Sequence, residues 1–149
     1  MRAVVQRVNR SFVAAGGKTI GEIGKGLTVL LGVEEGDTDE DANYMAGKIT
    51  GLRIFEDSEG KMNLSLAEAG GDMLVVSQFT LLGDCRKGKR PGFTRAAKPE
   101  TAIRLYKDFI EMCRNRNIRV EEGTFRAEMM VHIENDGPVT LILDSRKLF

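Results

Sequence analysis

Met73-Leu74-Val75-Val76-Ser77-Gln78-Phe79-Thr80-Leu81 and Val131-His132-Ile133-Glu134-Asn135-Asp136-Gly137-Pro138-Val139-Thr140-Leu141-Ile142-Leu143 decide how this chain is read. Both open with the apolar, β-branched composition of a buried strand. Both then put polar groups, or a Gly-Pro step, where strand interior is expected. Local rules broken inside strong secondary structure tend to mark functional or strained sites.

Working outward, residues 3–9 read as a strand. Residues 11–15 and 18–23 read as a hairpin, with Gly16-Gly17 supplying the positive φ of a tight turn. Residues 26–33 form a strand apolar enough to be buried on both faces. Thr38 caps a helix whose first turn holds Asp39, Glu40 and Asp41. Ala42, Met45, Ala46 and Ile49 make its apolar stripe. Residues 52–55 read as a short strand, 57–61 as a turn, and 62–64 as a brief extended piece. Residues 83–98 are irregular and basic, with Pro91 and Pro99 as flanks. A second helix follows Pro99, with Ile103, Tyr106, Phe109, Ile110 and Cys113 on one face. Residues 119–121 form a further strand. Residues 129–135 and 139–144 read as two strands joined across Asp136-Gly137-Pro138. About eight strands and two helices are too few helices for βαβ units throughout. The expected fold is α/β, one domain with a mixed, largely antiparallel or barrel-like sheet and two main helices, and a homodimer that covers the apolar strands.

Composition narrows the function classes. With 149 residues, one domain is the natural division, and it buries roughly 70% of its unfolded surface. Aromatics are 6%, so the core rests on Val, Ile, Leu and Met. The 22 basic and 22 acidic residues cancel, which argues against a protein that coats duplex nucleic acid but not against contact with one end of an RNA. Cys85 and Cys113 are too few for a disulfide scaffold. No signal peptide and no membrane span are expected, and the cytoplasm is the default location.

Conventional catalytic machinery is thin. His132 is the single histidine, and its alternation with Val131 and Ile133 suits a residue that points away from the core. Without a second histidine or a cysteine cluster, no zinc site is expected, and no spacing supports a Ser-His-Asp triad. No glycine pattern fits a phosphate loop. Residues 73–79 read as a strand whose end places Gln78 and Thr80 on one face and Ser77 on the other, and these three have two readings: local capping, or a polar pocket that stabilises an oxyanion without a titrating group. Gly137-Pro138 is either a hairpin turn or a rigid polar hook with a cis bond. Arg7 pairs either with an acidic residue or with carbonyls of such a segment. Arg86, Lys87, Lys89 and Arg90 form either a solvated loop or a set of phosphate contacts.

At this point the motifs carry a resemblance. Residues 3–8, 26–33, 53–55 and 60–63, with Ser77-Gln78-Phe79-Thr80-Leu81 and Asn135-Asp136-Gly137-Pro138-Val139-Thr140, closely resemble the D-aminoacyl-tRNA deacylase family, also called D-tyrosyl-tRNA deacylase. The resemblance spans essentially the whole chain. It implies a homodimer with two active sites at the subunit interface; no cofactor and no metal are expected of the chain. The implied substrate is a D-aminoacyl-tRNA, or glycine mischarged on tRNA(Ala), met at its acceptor end. The implied reaction is hydrolysis of the ester to the terminal ribose, with rejection of L-aminoacyl-tRNA. Carried over, Gly137-Pro138 is a cis dipeptide that enters the partner's pocket. Ser77, Gln78 and Phe79 line the pocket and offer backbone N–H groups to the oxyanion. Arg7 braces the hook, and the 86–95 loop lies beside the acceptor end. Thr80 is either a nucleophile or a bystander to attack by water that the RNA 2′-hydroxyl assists. The second fits better, because no base stands at a recognisable spacing from Thr80. A non-enzymatic RNA-end-binding dimer and a nucleotide hydrolase are the competing classes.

Overall fold

The first strand, β1 (Arg2–Ala15), alternates buried and partly exposed residues over its first half. The computed structural model describes residues 1–148; Phe149 lies outside them. Gly16 and Gly17 turn the chain with φ of 55° and 77°, and β2 (Lys18–Ile23) returns antiparallel to the second half of β1. The third strand, β3 (Gly26–Gly32), pairs antiparallel with the first half of β1. Both β2 and β3 occupy one edge of β1. The other edge is filled along nearly its whole length by the last strand, β8 (Met130–Asp144).

Two helices make the parallel part of the sheet. The chain leaves β3 through α1 (Asp39–Thr50) and the small hairpin β4 (Phe55–Glu56) and β5 (Met62–Leu64). It returns as β6 (Asp72–Ser77), parallel to β3. It leaves again through α2 (Pro99–Arg114) and returns as β7 (Val120–Glu122), parallel to β6. The sheet order is β2-β1-β3-β6-β7, with β8 on β1. Because β2 also packs near β6 and β7, the sheet curls almost into a barrel.

The main core lies between the sheet and the two helices. Ala42, Met45, Ala46 and Ile49 of α1 are fully buried against it, as their spacing requires. From α2 come Leu105, Tyr106, Phe109, Ile110 and Cys113. Burying each large side chain contributes about 1.5–3 kcal/mol. The Tyr106 hydroxyl donates to the Val75 carbonyl at 2.9 Å, which fastens α2 to β6. A smaller cluster of Val8, Val13, Ile23, Leu74 and Val76 fills the opposite face, under the curl of β2.

Four expectations are corrected. Ile103 is 39% exposed, and Leu105 takes a buried place instead. At 100° per residue, Ile103 falls about 90° from the centre of the buried stripe. Of residues 52–55 only Phe55 is in a strand, because its partner β5 is three residues long. The strand through Ser77 stops there, and Phe79–Leu82 is a 3-10 turn, so Thr80 does not share a strand face with Gln78. Residues 129–135 and 139–144 are not two strands of a hairpin. They are one strand, interrupted by a bulge.

The two thiols are free and differ in setting. Cys85 is exposed, while Cys113 is buried and its thiol is pushed up to about 12 by desolvation. A raised thiol pKa keeps Cys113 protonated well above neutrality, and the thiolate is the reactive form. Titration of the folded protein with a thiol reagent at pH 8 is expected to modify Cys85 alone. Both cysteines react after denaturation, and prompt double modification of the native state contradicts this packing.

Candidate active site

The bulge is built by β1. Gln6 pairs with Thr140 and Val8 pairs with Asn135, so residues 136–139 stand opposite Arg7 alone. The Gly137-Pro138 peptide within it is cis. Arg7 is 6% exposed and fills the space behind the bulge. Its Nη1 donates to the Ile54 carbonyl at 2.6 Å. Its Nε lies 2.9 Å from Asp136 Oδ2, an ion pair whose angle departs from that of a hydrogen bond. Of the two readings of Arg7 the acidic partner is the one met, by Asp136; among the described residues its carbonyl bond goes to Ile54 and not to the Gly137-Pro138 segment.

Asn135 closes the bulge from the other side. Its Nδ2 donates to the Arg7 carbonyl at 2.9 Å and to the Val139 carbonyl at 3.1 Å, and its Oδ1 accepts from the Thr140 hydroxyl at 3.2 Å. Position 137 requires glycine. Its φ is 110°, and a Cβ there would lie 2.8 Å from Arg7 Nη2 and 2.9 Å from Val139 Cγ2. Gly137 and Pro138 are both exposed.

At the far end of β6 a cavity of about 500 Å³ opens, within the range of small-ligand sites. Ser77, Gln78 and Phe79 line it. Val33, Ala96 and Ala97 form one wall, Pro99 and Ala102 of α2 a second, and Phe125, Met129 and Val131 a third. The 95–97 wall is held in place by its backbone: Glu35 N–H donates to the Arg95 carbonyl and Ala97 N–H to the Val33 carbonyl. The buried carboxylate of Glu34 pairs with Arg95 and Arg146. Among the described residues neither a carboxylate nor a histidine lines the cavity. Its one charged lining residue among them is Arg126, held at φ 64° and without an ionic partner.

Thr80 does not line this cavity. It sits in the 3-10 turn, and Gln78 Nε2 donates to its Oγ1. Among the described residues no acidic or basic side chain hydrogen-bonds the hydroxyl. The Gln78 N–H is already used on the Leu31 carbonyl at 2.8 Å. The N–H groups of Phe79 and Thr80 precede the first bond inside the turn and are the open backbone donors beside Ser77.

The basic loop begins where the turn ends. Asp84 and Gly92 exchange two backbone hydrogen bonds, of 2.7 and 3.0 Å, which tie its base. Arg86 is not free. It grips Asp84 through Nε and Nη2 at 2.9 and 2.6 Å, and these bonds hold the Asp84 carboxyl well below the usual range. Lys87, Lys89 and Arg90 are exposed and make no ion pair among the described residues.

The structure thus brings Ser77, Gln78 and Phe79 together, with the basic loop next to them. Thr80 adjoins them outside the cavity. Arg7, Gly137 and Pro138 form a separate group, and none of residues 136–139 lines the cavity of its own chain. His132 lies outside the cavity lining, stacked on Phe12 with ring centroids 4.2 Å apart, a cross-strand pair on the surface. Sequence reasoning missed Asn135 as a clamp, although an amide beside Asp-Gly-Pro was a visible signal. It also missed Phe125, Arg126 and Met129, which a connector between strands gave no periodicity to reveal. Among the described residues no cluster of His, Cys, Asp or Glu could hold a metal ion, and no helix is long and apolar enough to cross a membrane.

Comparison with known proteins identifies the family. The family model described as D-Tyr-tRNA(Tyr) deacylase matches residues 4–144. A Thermotoga petrophila protein named D-aminoacyl-tRNA deacylase is 57% identical over 149 residues, 100% of both chains. A Dehalococcoides mccartyi protein of the same name is 61% identical over 146 residues, covering 98% of this chain and 95% of its own. A solved structure described as c-Myc DNA Unwinding Element Binding Protein superposes with a TM-score of 0.91 at 44% identity, over 97% of this chain and 98% of the other. A probable eukaryotic D-amino acid tRNA deacylase shares the fold, with a TM-score of 0.79 at 22% identity over 95% and 97% of the two chains. The chain belongs to the D-Tyr-tRNA(Tyr) deacylase family and is an enzyme of the D-aminoacyl-tRNA deacylase class.

Proposed function

We propose that this chain hydrolyses the ester of D-aminoacyl-tRNA in the cytoplasm, as a homodimer whose two sites each draw on both subunits. D-tyrosyl-tRNA and glycyl-tRNA(Ala) are its substrates, and L-aminoacyl-tRNA is refused. The observation that carries the reading is the separation of two built features. The exposed, braced Gly137-Pro138 bulge lies outside its own chain's cavity, and the cavity has no acid or base of its own. A second copy would supply the missing half. Exposed Met130 and Ile142 on β8 give such a copy apolar surface to cover.

In this reading the terminal adenosine and the aminoacyl ester enter the cavity. The Gly137 and Pro138 carbonyls of the partner accept the substrate α-ammonium, and a side chain of L configuration runs into them. The N–H groups at Phe79 and Thr80 receive the oxyanion that forms when water adds to the ester carbonyl. One such donor is worth about 3 kcal/mol of barrier. The alkoxide of the ribose 3′-oxygen leaves and takes up the proton, and free amino acid and tRNA are the products. The cavity lacks a base, so the ribose 2′-hydroxyl assists the attacking water. Arg126 faces the phosphate of the terminal nucleotide, and Lys87, Lys89 and Arg90 meet phosphates further along the acceptor end.

Incubation with D-Tyr-tRNA and L-Tyr-tRNA, without added metal, is expected to release D-tyrosine alone. Release from neither substrate defeats the reading. In single turnover, Thr80→Ala is expected to stay within about threefold of wild type, because an unactivated hydroxyl contributes little as a nucleophile. Replacing the terminal 2′-hydroxyl by hydrogen is expected to slow the reaction about 100-fold or more. Complete loss in Thr80→Ala with intact binding, or normal turnover of the 2′-deoxy substrate, overturns the mechanism.

The loop is tested by salt. Changing Lys87, Lys89 and Arg90 together to Ala is expected to flatten the dependence of log affinity for tRNA on log salt by about 2, the share of three phosphate contacts on single-stranded RNA. An unchanged slope removes the loop from the interface.

A further inference from the structure

Two phenylalanines beside the cavity break the rule that large apolar side chains are buried. Phe79 is 55% exposed and Phe93 is 38% exposed. Their rings meet edge to face, with centroids 5.2 Å apart and planes at 68°. An edge-to-face pair leaves ring face open to a flat partner. Neither ring belongs to the helix-side core or to the smaller cluster across the sheet.

The pair is held where it is. Phe79 opens the 3-10 turn at the cavity lining. Phe93 follows Gly92, whose backbone bonds to Asp84 tie the base of the basic loop. Its ring lies over Gly83, where an added Cβ would come within 3.1 Å of Phe93 Cε1. The foot of the loop therefore delivers Phe93 to Phe79, and the loop itself carries Lys87, Lys89 and Arg90, which make no ion pair among the described residues.

We propose that the Phe79–Phe93 pair is a stacking platform for the nucleobase that precedes the terminal adenosine of the RNA. The proposal rests on the deacylase reading and extends it from the terminal nucleoside to the next residue of the single strand. Exposed aromatic rings beside free cations are the chemistry that binds single-stranded nucleic acid: the rings stack bases and the cations follow phosphates. An apolar peptide would use the rings but would leave three cations without anions. The nucleotide uses both. Stacking is also indifferent to base identity, so the platform adds affinity for any tRNA.

The test compares three D-tyrosine esters: of adenosine, of the trinucleotide CCA, and of tRNA. Phe93 is outside the cavity lining, so Phe93→Ala separates the platform from the reacting centre. Its loss of kcat/KM on CCA and tRNA is expected to exceed its loss on adenosine by about tenfold, within the range of one base stack. Phe93→Trp, which keeps a flat ring, restores most of it. Equal loss on all three esters, or no loss on any, overturns the platform. A change of oligomeric state in Phe93→Ala by sedimentation also overturns it, since the rings then belong to a subunit contact. Wild-type protein that cleaves none of the three esters refutes the deacylase reading itself, a separate result.

Discussion

Everything distinctive in this molecule depends on the mismatch between β1 and β8. The two strands pair along almost their whole length, yet four residues of β8 face one residue of β1. A sheet does not leave such a bulge unsupported. Arg7 fills it from beneath with an ion pair and a hydrogen bond, and the Asn135 amide spans it with three hydrogen bonds. The result is a polar backbone projection on a rigid base. A group mounted on two paired strands keeps its geometry better than one mounted on a free loop.

The cavity is built in the opposite way. It opens where β6 gives way to a 3-10 turn, a loop wall and the start of α2, and it contains little that titrates. In the proposed mechanism the chemistry there comes from fixed dipoles and from the substrate. Fixed N–H donors cost no reorganisation when charge develops, which is why such sites work without a histidine. The buried Glu34 with Arg95 and Arg146 adds stiffness rather than chemistry, since it anchors the segment that forms the cavity wall. In the proposed enzyme, refusal of L substrates and attack on the ester are separate tasks, and the bulge and the cavity divide them.

Much of this was legible in the chain, and what was hidden has a physical reason. The α1 stripe and the Gly16-Gly17 hairpin are local, and the periods of helix and turn show them directly. Both signature segments were visible as polar intrusions into apolar runs. Their shapes were not. The continuity of β8 through residues 136–139 depends on Arg7 and on pairing partners more than 120 positions away. A Gly-Pro step reads as a turn until that partner strand is known. Thr80 left the strand because Gln78 donates its N–H to Leu31 and the next residues coil into a 3-10 turn. Phe125, Arg126 and Met129 became cavity lining through a connector with no period of its own. Ile103 followed the helical spacing but stood at the margin of the buried stripe, where sequence alone cannot choose between it and Leu105.

The central claim is that each site joins the cavity of one subunit to the bulge of another. Mixed dimers test it most directly. Gly137→Ala spoils the bulge, and Ala102→Trp fills the cavity; each homodimer alone is predicted to be inactive on D-Tyr-tRNA. In a mixed dimer the intact cavity of one chain meets the intact bulge of the other. Random reassembly at equal amounts is therefore predicted to recover about a quarter of wild-type activity, one good site in each mixed dimer. No recovery, with mixed dimers demonstrated, would mean that bulge and cavity do not serve one composite site, and the account would be contradicted.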